Sequence, residues 1–122
     1  MKTVFVDSSV LFSAANSPIG GSSKLFTLTH IKLITSEVVL TETERNIRKK
    51  LHDYHLERFF MLVDKLTITK NLPNKRLFEK AKAHFLATLD SKHFLSTSVE
   101  TFLKPRKAVT PKMLIAMLEN ET

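Results

Sequence analysis

The chain has 122 residues, the usual size of one domain, and 43% are hydrophobic, enough to bury a core without cross-links. It contains no cysteine, which excludes disulfides, thiolate zinc sites and cysteine nucleophiles. Its net charge of +7 favours acidic partners, of which nucleic acid is the commonest.

No apolar run approaches the ~20 residues that span a bilayer. No signal-peptide core is visible. The expected address is therefore cytoplasmic, with no membrane partner. No repeat, low-complexity linker or composition shift divides the chain, so a single domain over residues 1–122 is expected.

In chain order, Thr3–Val6 is apolar on both faces, as a buried parallel strand should be. Val10–Ala15 reads as a short helix capped by Ser8 or Ser9. Ser22 and Ser23 are placed to cap a second short helix, Lys24–Thr29, and Lys32–Thr35 reads as the next strand. Ser36 is a good N-cap for a long helix from Glu37 to Leu51, with Val39, Leu40, Thr43, Ile47 and Leu51 at helical spacing. Arg45, Arg48, Lys49 and Lys50 crowd its last half, where cations suit the helix dipole.

His55–Asp64 reads as a helix and Leu66–Thr69 as a short strand. Asn74 is placed to cap a helix through Leu77, Phe78 and Ala81. His84–Thr88 is strand-like and leads into Leu89-Asp90. A last strand near Lys107 closes at Val109, and Thr110-Pro111 opens a helix to about Glu119. Such alternation predicts a parallel sheet with right-handed crossovers and helices on its faces.

Ligands of open parallel sheets collect outside the carboxyl ends of the strands. Asp7 and Asp90 each end a strand. Glu42 lies on the helix after the second strand, four residues beyond Val38, and is expected to border the buried stripe rather than face solvent. Three carboxylates drawn together repel one another unless a cation sits between them, and hard oxygen donors suit Mg²⁺ or Mn²⁺. Each acid also has a plainer reading: Asp7 as a helix cap, Glu42 as a solvated helix acid, Asp90 as a turn residue.

Three segments, VFVDSSVLFSAANSPIGGSSKLF, KLITSEVVLTETERNIRKKL and AHFLATLDSKHFL, occur in an order and with internal spacings that resemble the PIN-domain family, which includes VapC-like toxin ribonucleases. The tail KAVTPKMLIAML extends the likeness over almost the whole chain. The resemblance implies a three-layer α/β/α sandwich with a central parallel sheet. It also implies a carboxylate cluster that binds Mg²⁺ or Mn²⁺ and cleaves RNA. Asp7, Glu42 and Asp90 match the family's metal acids, and Ser9 the small polar residue that helps hold the site. A cognate antitoxin protein and a homodimer are partners implied in the same way, with Phe59-Phe60-Met61 and Phe102-Leu103 as either interface or core.

One departure stands out. The family usually carries a further Asp between the third and fourth strands. Here TITKNLPNKRLFEKAKAHFLATLD has Glu79 as its sole acid before Asp90; aligned without a gap, Asn71 falls where that Asp is expected, and aligned from the third strand, a helix and its acid are missing. The chain is shortened in this region. A degenerate PIN fold that binds RNA or a protein without chemistry is therefore the alternative to a metal-dependent endoribonuclease.

Other candidates are plainer. His52 and His55 can share a helix face but lack a third ligand in register. His84 opens a strand, and His93 reads as a structural or rim residue. Basic clusters at Arg45/Arg48/Lys49/Lys50, Lys75/Arg76/Lys80/Lys82 and Lys104/Arg106/Lys107/Lys112 are solvated faces unless they rim an RNA site, in which case binding would depend strongly on salt.

Overall fold

The computed structural model describes residues 2–69, 83–89 and 107–120. Five strands run in parallel: β1 (Lys2–Val6), β2 (Ile31–Ser36), β3 (Thr67–Thr69), β4 (Phe85–Ala87) and β5 (Lys107–Val109), in the order β3-β2-β1-β4-β5. Between and after them lie α1 (Ser8–Asn16), α2 (Gly21–Leu25), α3 (Glu37–Lys50), α4 (Asp53–Val63) and α5 (Pro111–Asn120). The protein is thus an α/β fold built on an all-parallel sheet.

The order of the sheet follows from composition. In β1, Val4, Phe5 and Val6 are all buried, so this strand is covered on both faces and takes the centre. Its register pairs Phe5 with Ile34 on one side and with Leu86 on the other. At one edge, β3 exposes Thr67 and Ile68, as a β-branched edge strand can. The chain reaches β2 and β3 in one direction from β1, then returns past it to β4 and β5. The crevice beside β1 at the carboxyl ends of the strands is therefore the topological switch point.

Local chemistry moves two caps from their expected places. Asp7, not Ser8 or Ser9, caps α1: its backbone is extended and its carboxylate accepts from the Ser9 amide, which draws both serines into the first turn. The second helix starts earlier and ends sooner than expected. Gly20, at φ 103°, turns the chain, and α2 runs only from Gly21 to Leu25. A side chain on Gly21 would meet the Lys112 amide nitrogen at 3.3 Å, which explains why α2 can lie so close to the start of α5.

Other ends fall where expected. The Ser36 hydroxyl accepts from the Val39 amide and opens α3, and the Thr110 hydroxyl accepts from the Met113 amide at the head of α5. The apolar stretch in α4 divides: Phe59 is buried, while Phe60 and Met61 are exposed. The helix expected after Asn74, the Asn71 and Glu79 positions, and Phe102-Leu103 lie outside the described residues.

Candidate active site

Asp7 follows directly on β1 at the switch point. Its amide donates to the Ala87 carbonyl (3.2 Å), which carries the β1–β4 ladder one residue past the strand. The residue is only 5% exposed. A buried carboxylate must be hydrogen-bonded to be tolerated, and both oxygens are. Oδ1 accepts from the Ser9 amide at 2.5 Å, and Oδ2 accepts from the Thr88 hydroxyl at 2.5 Å. The positive end of α1 adds a favourable field.

Ser9 works twice. Its amide holds Asp7, and its hydroxyl accepts from the Leu89 amide (2.9 Å). The Ser9 and Thr88 hydroxyls lie 3.5 Å apart. The end of β4 is thus tied to the start of α1 by side chains, with Asp7 between them. From the other side, the buried Thr35 hydroxyl donates to the Val6 carbonyl (2.8 Å) and ties β2 to the last residue before the acid. A carboxylate has about four acceptor sites, so each oxygen of Asp7 retains capacity for a further partner.

Glu42 departs from its expected setting. The buried stripe of α3 is Val39, Thr43 and Ile47, and Val38 and Glu42 both face solvent. The stripe settles there because the Thr43 hydroxyl donates to the Val39 carbonyl (2.7 Å) and enters the core satisfied. Glu42 instead heads the i, i+4, i+8 row Glu42–Asn46–Lys50. Asn46 and Lys50 line a cleft of about 390 Å³ against Ser9, Phe12 and Ser13 of α1, with Leu89 beside them. Glu42 stands one turn before Asn46 on this row, exposed, and is not among the residues that line the cleft.

Asp90 lies outside the described residues, as do Glu79 and His93. Among the described residues no three acidic, histidine or cysteine side chains group as a metal-ligand set. What the described part offers a hard cation is one rigid carboxylate of suitable donor chemistry, Asp7. Thr88, which fixes that carboxylate, carries no motif that marks it in the sequence. Its one signal is a hydroxyl at the end of an otherwise apolar strand.

His52, His55 and His84 have structural partners. The Thr3 amide donates to the His84 ring at 3.1 Å, and the His52 amide donates to His55 Nδ1 at 3.1 Å, which closes a capping box at the head of α4. No helix among the described residues is long and apolar enough to cross a membrane. No protein-family model matches this chain, and no curated protein matches it.

Proposed function

We propose that this chain is a metal-dependent endoribonuclease of the PIN type, a single three-layer α/β/α domain in which Asp7, Glu42 and Asp90 would hold Mg²⁺ or Mn²⁺. One observation carries the reading: a buried aspartate at the switch point of a parallel sheet, each oxygen fixed by a hydrogen bond, directly before Ser8 and Ser9, which line a cleft together with Lys50. An N-cap alone needs one oxygen and no second strand to orient it. Once bound, the ion would supply an activated water and offset charge on the phosphodiester.

The chain's own residues have separate tasks. Ser9 and Thr88 hold Asp7 in one rotamer. Lys50 and its basic neighbours on α3 would hold RNA phosphates. In a cell such an enzyme fits the toxin role of a toxin–antitoxin pair, with a cognate antitoxin covering the site, and the exposed Phe60 and Met61 offer apolar surface for a homodimer.

The second reading is a degenerate PIN fold that binds RNA or protein without chemistry. It is favoured by the neutral Asn71 at an expected acid position and by the structural duty both Asp7 oxygens already perform.

RNA cleavage by purified protein with Mn²⁺ or Mg²⁺, against EDTA and Asp7→Asn, separates the two. Asn can still cap α1, and the Thr88 hydroxyl can rotate to accept from its amide, so this variant should fold. Metal-dependent cutting that the variant lacks supports the nuclease. A folded wild type that binds RNA yet never cuts it supports the second reading.

A further inference from the structure

The cleft beside Ser9 does not stop at the candidate acids. Ser9 and Ser13 lie one turn apart on one face of α1, and Asn46 and Lys50 lie one turn apart on the facing side of α3. These pairs set polar side chains beside Phe12 and Leu89 in a groove along α1, which is nine residues or about 13 Å long. Its far end is Lys50, two residues before the corner where α3 gives way to α4.

That corner carries three rings. His52 and Tyr54 are stacked, with centroids 5.7 Å apart and planes at 15°, and Tyr54 lies 4.1 Å from His55. His55 is buried and its ring accepts from the His52 amide, so the arrangement is braced from below. Tyr54 is 61% exposed. A large ring that keeps most of its surface exposed on a rigid support can still take a stacking partner.

Arg48, Lys49 and Lys50, all exposed, fill the last turn of α3 just before it. Arg48 is engaged with Glu44 at 3.3 Å, and Lys49 and Lys50 continue the patch. Asp53 also lines the hollow at this corner, in the first turn of α4, where its charge matches the helix dipole.

Rings for bases beside cations for phosphates are the chemistry by which proteins hold single strands. We infer that the α1–α3 groove and the ring stack form a continuous track for single-stranded RNA, with the backbone passing Lys50 and a base stacked on Tyr54. That the strand is RNA rests on the proposed nuclease; that it is unpaired rests on the rings, which a base can reach only when out of its own stack.

The test is fluorescence anisotropy of a short labelled oligouridine with EDTA present, so that nothing is cut. Tyr54→Ala should weaken binding about tenfold and Tyr54→Phe should restore it, as stacking rather than the hydroxyl predicts. Lys50→Gln should weaken binding and flatten the dependence of log Kd on log salt by about 0.7 for one lost phosphate contact. An RNA duplex should compete poorly.

Absence of wild-type binding, a Tyr54→Ala affinity within about twofold of wild type, or equal competition by duplex overturns the track. Cleavage by wild type together with normal binding by Tyr54→Ala leaves the nuclease standing without the track. Tyr54-dependent binding without any cleavage does the reverse.

Discussion

Thr88→Val isolates the bond that orients Asp7. The swap keeps the shape of a fully buried side chain, so no cavity opens, and removes the hydroxyl that donates to Oδ2 at 2.5 Å. A hydrogen bond to a charged group contributes about 1.5–3 kcal/mol net, and here its loss also leaves a buried carboxylate oxygen short of a partner. The expected destabilisation is about 2 kcal/mol, or roughly 8 °C in Tm for a chain of this size. Circular dichroism with urea and thermal melts measures it.

Thr88→Ser, which keeps the hydroxyl, should recover more than half of the loss. In an Asp7→Ala background Thr88→Val should cost clearly less than in the wild type, because the shared partner is gone. A near-neutral Thr88→Val in the wild-type background, or an undiminished cost in the Asp7→Ala background, would refute the claim that this bond holds Asp7.

Gly20→Ala should cost about 1 kcal/mol by denaturant titration: φ is 103° while nothing lies within 4 Å of the added methyl, so the penalty is backbone strain and not collision. Arg58 has a buried Nε with no hydrogen-bond partner among the described residues; Arg58→Met keeps the aliphatic stem and removes that donor, so stability should hold or rise by up to about 1 kcal/mol. A clear loss in the same titration would show that the guanidinium contributes more than its stem.

Much of this architecture is legible from residue type alone. A run such as Val4-Phe5-Val6, apolar on both faces, has few places to go but the middle of a parallel sheet, and Ser36 and Thr110 announce their helices because a hydroxyl before an apolar repeat satisfies amides that nothing else can. The cap of α1 is harder to read. Asp7, Ser8 and Ser9 are all competent caps, and only the pull of β4 on Ser9 and Asp7 decides among them.

Glu42 is harder for a related reason. Val38 looks like a core residue by type, yet the stripe runs through Val39, Thr43 and Ile47, as their spacing predicts, and leaves both Val38 and Glu42 in solvent. Thr88 belongs to the same class. Its importance comes from a partner far away in the chain, and no local spacing encodes that.

The strand order also sets a timetable. β1 has its partner β2 nearby, but its other edge waits for β4, which pairs Val4 with Phe85 only after α1 to α4 and strands β2 and β3 have been made. Until then a strand centred on Val4, Phe5 and Val6 presents an open row of amides and carbonyls, the surface on which chains misjoin. Closure of that edge is a contact of high sequence separation and should be among the slow events of folding. The ties from the Thr88 hydroxyl and the Leu89 amide to Asp7 and Ser9 then act as a latch on the β1–β4 pair. The period in which the chain is most prone to aggregate ends at the step that completes the setting of Asp7.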